Sequence, residues 1–140
     1  MTSTTHTPTE SPGPALIGVT PHVTVRDANA AAEFYTRAFG AQVLAKLPGP
    51  DATRLMHCHL LINGGALFIN DAMPEHGYPL LEPQSFALHL QVEDADAWFA
   101  RAVEAGATAA MPVDLMFWGD RYGQVVDPFG VRWSIGSHNR

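Results

Sequence analysis

Apolar and polar residues alternate in two stretches of the chain that begin and continue alike. The first is "TPHVTV" at residues 20–25, and the second is "ALHLQV" at residues 87–92. At the last four positions of both, valine or leucine alternates with a polar residue, and the first of these polar residues is a histidine. A period of two is typical of a strand with one buried and one open face. Each stretch is therefore predicted to be a half-buried strand.

A helix is predicted to follow each of these strands. Asp27 and Asp94 come directly after them, and aspartate is a favoured residue at a helix N-terminus. The segments "ANAAAEFYTRAFGA" and "ADAWFARAVEA" then carry apolar residues at helical spacing. Gly40 and Gly106 follow the last helical positions, where glycine commonly ends a helix.

Three further strands are predicted in each half. After the first helix they are "AQVLAKL", "TRLMHCHLLI" and "ALFIN", and after the second they are "ATAAM", "QVV" and "VRWSI". The turns "NGG" and "DPFG" precede the last strand of each half and supply glycine for positive φ, which makes Asp127 a turn former. The segment "PVDLMFWGDRYG" is predicted to be a loop. The fold class is therefore α+β, with two tandem βαβββ modules, each packing one apolar sheet face on its own helix.

The predicted organisation is one domain preceded by a tail. Residues 1–15 are rich in Thr, Ser and Pro and are predicted to be a flexible tail. The domain covers 16–140, with module one at about 16–72, a Pro-rich linker at about 73–84 and module two at about 85–138.

Composition narrows the classes of partner. The 140 residues include 46% hydrophobic ones, enough for a core, and the formal net charge is −6. Without a basic run or a long apolar segment, we expect no nucleic-acid partner and no membrane partner, and a small molecule is the favoured ligand. A lone cysteine, Cys58, excludes an internal disulfide, and a cytoplasmic location is expected. Cys58 is predicted to be buried and unreactive.

Strand parity indicates where a site would lie. The strand faces turned away from the helices are predicted to carry Thr20, His22, Thr24, His57, His59, Leu61, Ala87, His89 and Gln91. Four histidines would then line one concavity between the modules. His57 and His59 are the candidate general bases, because imidazole titrates near neutral pH, and His22, His89 and Gln91 are candidate ligand contacts. The alternative is that these side chains only line a hydrated cup.

The segment "LMFWGDRYG" adds further candidate contacts. Trp118 and Tyr122 offer aromatic surface, and Arg121 could bind a carboxylate or phosphate through two hydrogen bonds. The alternative places Trp118 in the core and pairs Arg121 with Asp120 or Asp127.

The segments "FYTRAFGA", "VEDADAWFARAVEAGA" and "FWGDRYGQVVDPFGVRWSI" resemble the glyoxalase, bleomycin-resistance and extradiol-dioxygenase superfamily, also called vicinal oxygen chelate, and the last is most similar to its PhnB-like branch. This resemblance implies a glyoxalase-like cupped mixed sheet, a homodimer, and a metal held by the first, fourth, fifth and eighth strands. The implied ligand positions fall on Thr20, Ile69, Ala87 and Ser134. Since these residues bind divalent ions weakly or not at all, we expect no metal and no cofactor.

Three functions stay open at this point. One is a resistance-type protein that binds a drug or metabolite without changing it. Another is a metal-independent enzyme that uses histidine acid-base chemistry. The third is a metal-dependent lyase, isomerase or dioxygenase whose ligands are relocated to histidines.

Overall fold

The computed structural model describes Leu16 and residues 18–138. The predicted tail at residues 1–15 lies outside the described residues. Contacts within the chain divide it into two compact units. The first contains the chain up to Ala32 together with Ala41–Leu80, and the second contains Glu33–Gly40 and the chain from Leu81 onward.

The elements follow the predicted order. They are β1 His22–Val25, α1 Ala28–Phe39, β2 Gln42–Pro48, β3 Leu55–Ile62, β4 Gly65–Asp71, a 3-10 turn Pro74–His76, β5 Leu88–Gln91, α2 Ala95–Ala105, β6 Thr108–Leu115, β7 Asp120–Val126 and β8 Arg132–His138. Across the described part of the chain, no helix is long and apolar enough to cross a bilayer.

Each unit contains one sheet, and the two sheets have the same topology. The first has the strand order β1-β4-β3-β2 and the second β5-β8-β7-β6. In both, the strand before the helix runs parallel to the last strand of its module, and the other pairs are antiparallel. The predicted α+β fold of two tandem βαβββ modules is confirmed.

Both helices begin as the sequence predicts. Asp27 Oδ1 accepts the N–H of Ala30 at 3.0 Å, and Asp94 Oδ1 accepts the N–H of Ala97 at 3.1 Å. Each bond satisfies a donor that the first helical turn leaves without an intrahelical partner. The two aspartates are therefore N-caps at equivalent places in the repeat.

A second contact at the start of each helix shows which residues of the two modules are equivalent. The first N–H of α1, from Ala28, donates to Asp71 at the end of β4, and the first N–H of α2, from Ala95, donates to Ser137 in β8. Asp71 and Ser137 are buried. They are therefore equivalent positions, and the residues before them in β4 and β8 can be matched one by one.

The core of the second unit includes the last turns of α1. Phe39 and Trp133 pack with ring centroids 4.7 Å apart, and Tyr35 lies 5.4 Å from Trp133. The second half of α1 therefore packs in the second unit, which the predicted packing of each sheet on its own helix did not include. The apolar stripe of α1 continues past Ala32, and its aromatic residues Tyr35 and Phe39 pack against Trp133 of the second sheet.

Asp127 is the polar centre of this core. Its Oδ1 accepts the N–H groups of Phe129 and Val131, which confirms the predicted turn. Its Oδ2 accepts the hydroxyl of Tyr35 at 2.5 Å and the indole N–H of Trp133 at 2.9 Å. Burial, and then the nearby Asp127 carboxylate, raise the pKa of Tyr35 well above its ordinary value.

One predicted loop is largely strand. β6 extends to Leu115 and β7 begins at Asp120, so that only residues 116–119 connect them. The N–H of Gly119 donates to the carbonyl of Met116, and Gly119 has a φ of +99°. β6 is an edge strand with almost every residue exposed and with register shifts on both sides of Met111. These features remove the regular alternation by which a strand is recognised in sequence.

Candidate functional site

Three of the predicted histidines share one face of the first sheet. His22 in β1 and His59 in β3 are both paired with Phe68 of β4, and His57 lies two residues before His59. The Phe68 ring centroid is 4.7 Å from that of His57, 5.0 Å from that of His59 and 6.3 Å from that of His22. These three histidines share a face with Phe68, as the period of two predicts, and we call His22, His57, His59 and Phe68 the imidazole face.

One atom of the imidazole face lacks a hydrogen-bond partner. His59 Nε2 is buried, and within the described residues it is the single buried side-chain nitrogen or oxygen without a partner. A buried polar atom left unpaired costs about 1–3 kcal/mol. At the margin of this face, the ring of Tyr78 lies 5.9 Å from that of His22, and Tyr78 is exposed.

Cys58 lies on the opposite face of β3, and its predicted burial is confirmed. Its side chain is buried beside Ile69, with which it is paired across β3 and β4. Burial raises the pKa of the thiol to about 11. Cys58 is therefore protonated at neutral pH.

His89 lies on the second unit and has its own neighbours. Its Nδ1 is 2.7 Å from Ser134 Oγ, and its Nε2 is 2.8 Å from Gln91 Oε1. The ring of Tyr122 stacks on the imidazole with a centroid distance of 6.1 Å and an interplanar angle of 17°. We call Ser134, His89 and Gln91 the hydrogen-bonded triad.

Gly136 makes room for the triad. It is paired with Gln91 across β5 and β8. A Cβ at this glycine would lie 3.1 Å from His89 Cε1 and 3.2 Å from Gln91 Oε1, tighter than ordinary contacts. Sequence reasoning missed Gly136 as a site residue, although a glycine inside the alternating strand "RWSIGSH" signals close approach of another group.

The polar network continues away from the triad along β7. Gln124, which is paired with Ser134, donates through Nε2 to the Tyr122 hydroxyl at 3.0 Å and accepts from Arg132 at 2.9 Å. Trp118 is half exposed and meets Tyr122 edge to face at 5.5 Å. The predicted contacts Trp118 and Tyr122 thus adjoin His89 and Gln91 through ring contacts and hydrogen bonds.

The Arg121 side chain forms an ion pair with Asp96. Its guanidinium makes two hydrogen bonds to the Asp96 carboxylate, at 2.7 and 3.0 Å. This bond to Arg121 lowers the pKa of Asp96. The predicted alternative, in which Arg121 pairs with Asp120 or Asp127, is wrong. Its partner Asp96 lies on α2 and is distant from Arg121 in the sequence.

The metal-ligand set implied by the resemblance does not fit these residues. The strand registers make Phe68, not Ile69, the counterpart of Ser134, because Phe68 pairs with His22 as Ser134 pairs with His89. Neither phenylalanine nor the alanine at position 87 offers a ligand atom, and Ser134 is hydrogen-bonded to His89. Among the residues from 18 to 138 and Leu16, no three His, Cys, Asp or Glu side chains are grouped so as to hold a metal ion.

The imidazole face and the hydrogen-bonded triad each place histidine beside an aromatic ring, and each lies on one module of the duplicated βαβββ fold. A family model for the Glyoxalase/Bleomycin resistance protein/Dioxygenase superfamily matches residues 17–135, and the chain belongs to this superfamily. Uncharacterized protein Mb0911c of Mycobacterium bovis is 45% identical over 88% of this chain and 82% of its own.

Solved structures share the fold. Protein PA1353 from Pseudomonas aeruginosa superposes with a TM-score of 0.73 at 24% identity, over 89% of this chain and all of that one. A glyoxalase-related enzyme from Fulvimarina pelagi gives a TM-score of 0.71 at 24% identity, over 89% of each chain.

Proposed function

We propose that this protein binds a small molecule at the imidazole face of the first unit, without a metal ion. The observation that carries the proposal is the buried, unpartnered Nε2 of His59. A ligand atom that hydrogen-bonds to this nitrogen would remove the cost of leaving it unpaired. Buried polar atoms in a folded protein are nearly always paired, so an exception on a histidine-lined face favours a binding role.

The surroundings of His59 favour a planar, amphiphilic ligand. Phe68 presents its ring between His57 and His59, with interplanar angles of 78° and 81°. Aromatic rings of a ligand pack well edge to face or offset against such side chains. A ligand that combines one ring with one hydrogen-bonding group therefore satisfies both the apolar surface and His59 Nε2.

Thermal unfolding with small aromatic carboxylates, phosphonates and amines tests this proposal. A ligand at a hundred times its Kd stabilises the protein by about 2.7 kcal/mol, which shifts the midpoint measurably. We expect His59→Leu to abolish the shift for the compounds that stabilise the parent. His76→Ala is the matched control, because this exposed histidine in the same unit lies on the 3-10 turn. Equal shifts in the His59→Leu protein would refute the proposal.

A metal-independent acid-base enzyme is the second candidate. It is supported by the adjacent imidazoles of His57 and His59, whose centroids are 6.4 Å apart on one face. One ring could remove a proton from a bound substrate while the other returns it. Recovery of the ligand unchanged after incubation would favour the binding protein, whereas turnover lost in His57→Ala and His59→Ala would favour the enzyme.

The proposal extends to the branch of the superfamily, the location and the partners of the protein. We propose that the protein is a resistance-type or PhnB-like member of the superfamily. We also propose that it is a cytoplasmic homodimer with neither nucleic-acid nor membrane partners. The net charge of −6 supports the exclusion of nucleic acid, because phosphate backbones repel such a surface. Within the second unit, His89, Gln91, Trp118 and Tyr122 are proposed as ligand contacts of that unit by itself, whereas Arg121 would first have to leave Asp96.

A further inference from the structure

One tautomer of the neutral His89 ring satisfies both hydrogen bonds of the triad. Gln91 Oε1 is a carbonyl oxygen and can only accept, so His89 Nε2 carries the proton of the neutral ring. His89 Nδ1 is then the unprotonated nitrogen and accepts the hydroxyl proton of Ser134 at 2.7 Å. A serine hydroxyl that donates to an imidazole whose far nitrogen is fixed by a third group is the arrangement of an activated nucleophile.

The repeat shows that this arrangement is specific to the second module. The register places His22 with Phe68 and Thr24 with Asn70 in the first sheet, at the positions that His89, Ser134, Gln91 and Gly136 occupy in the second. The histidine is thus present in both copies. In the first copy its cross-strand neighbour is a phenyl ring, and Thr24 donates to Asn70 instead. The second copy differs at each of the three other positions that build the triad.

Neighbouring groups hold the triad in place. Tyr122 stacks almost parallel to the His89 ring and fixes its plane, and Gly136 leaves space for the imidazole and the Gln91 amide. The Tyr122 hydroxyl accepts from Gln124, the residue paired with Ser134, so that its own proton stays available as a donor. These residues position the reacting groups and do not themselves exchange atoms with a substrate.

We propose that Ser134 is a nucleophile for acyl- or sulfonyl-type electrophiles, with His89 as its general base and Gln91 as the residue that sets the tautomer. Ser134 Oγ forms a bond to the electrophilic atom, its proton passes to His89 Nδ1, and the bond to the leaving group breaks. The proton then passes from His89 to the leaving group. The groups of this proposed site lie on the second unit, whereas the imidazole face lies on the first.

The burial of Ser134 defines the size of the electrophile. Ser134 is only 4% exposed, whereas the adjacent His89 and Gln91 are exposed. A compact reagent is therefore needed to reach Oγ. Methanesulfonyl fluoride is a suitable probe, because attack by Oγ displaces fluoride and leaves a stable sulfonate ester.

The test is labelling of the full chain with methanesulfonyl fluoride, followed by intact and peptide mass spectrometry. We expect one sulfonyl group on Ser134 and none in Ser134→Ala. Loss of the base in His89→Ala should slow labelling by about 100-fold or more, as expected for general-base catalysis. Gln91→Ala should slow it by a smaller factor, and the conservative variant Gln91→Glu, which keeps an acceptor for Nε2, should restore most of the rate.

Controls separate chemistry from folding. Ser137→Ala removes a buried serine of the same strand that contacts the α2 N-terminus and not His89, and it should label like the parent. Gln91→Ala changes an exposed side chain, so its unfolding midpoint should stay near that of the parent. His89→Ala also leaves the buried Ser134 hydroxyl without its acceptor, so its labelling is measured at a temperature well below its own unfolding midpoint. The absence of labelling in the parent, labelling at another residue, or an unchanged rate in His89→Ala would each overturn the proposal. None of these results bears on ligand binding at His59.

Discussion

Replacing Asp127 by asparagine should destabilise the second unit by removing one hydrogen bond from its core. The carboxylate is buried and accepts from Tyr35, Trp133 and the backbone of the following turn. In Asp127→Asn, Oδ1 can still accept the turn N–H groups. The amide nitrogen at the place of Oδ2 would face the indole N–H of Trp133, and two donors cannot bond to each other.

The magnitude follows from the groups left unpaired. One buried indole N–H without an acceptor costs about 1–3 kcal/mol, and we expect Asp127→Asn to lower the free energy of unfolding by this amount. Asp127→Ala also removes the acceptor of Tyr35 and of the buried Val131 N–H, and it should cost roughly 3–9 kcal/mol, the sum for three buried donors. Tyr35→Phe removes only one donor from a carboxylate that keeps three others, so its cost should be about 1 kcal/mol.

Urea unfolding at neutral pH, followed by circular dichroism and tryptophan fluorescence, measures these differences. The double variant Tyr35→Phe with Asp127→Asn isolates the coupling between the two side chains. Asp120→Asn is the control, because this carboxylate pairs with His138 at the surface and its replacement should matter by less than about 0.5 kcal/mol. If Asp127→Asn were no less stable than Asp120→Asn, the buried hydrogen bonds would not hold this core together.

Three further results are expected. Burial raises the pKa of Cys58 to about 11 in the folded protein. The stability that this shift contributes is present below the ordinary pKa of a thiol and is lost as the pH rises through the folded-state pKa. Urea midpoints measured from pH 8 to 11 should therefore fall less steeply in Cys58→Ala than in the parent. Gly136→Ala places a Cβ 3.1 Å from His89 Cε1 and should shift the Cε1–H resonance of His89 and slow sulfonyl labelling, whereas an unshifted resonance would contradict the packing argument. Asp96→Ala releases Arg121 from an exposed ion pair, so the unfolding midpoint should change little at 0.5 M salt, and a large loss there would mean that the pair is not a surface one.

Local features of the site could be predicted because they depend on alternation along one strand. The faces of His22, His57 and His59 followed from the period of two, and so did the burial of Cys58 between the last two. The partners of these residues could not be predicted in the same way. That Phe68 rather than Ile69 stands beside His22 depends on the register between β1 and β4, and a shift of one residue exchanges the faces.

Arg121 is another residue whose partner could not be predicted from the sequence. Its sequence neighbours offered two carboxylates, Asp120 and Asp127. The structure pairs it with Asp96, from which it is separated by 25 residues. Asp127 was already engaged by buried donors. A long cationic side chain finds the nearest exposed carboxylate in space, and sequence distance carries little information about that choice.

The sequence by itself determined the duplicated βαβββ order, the aspartates that cap both helices, the glycines of the turns and the strand face shared by His22, His57 and His59. Each of these follows from backbone preferences and side-chain periods within a few consecutive residues. Only the tertiary structure decided that Ser134, 45 residues beyond His89, is hydrogen-bonded to it, and that the second half of α1 packs in the second unit. Such contacts depend on strand register and on the fit of large side chains in a shared core, which are set when distant segments come together.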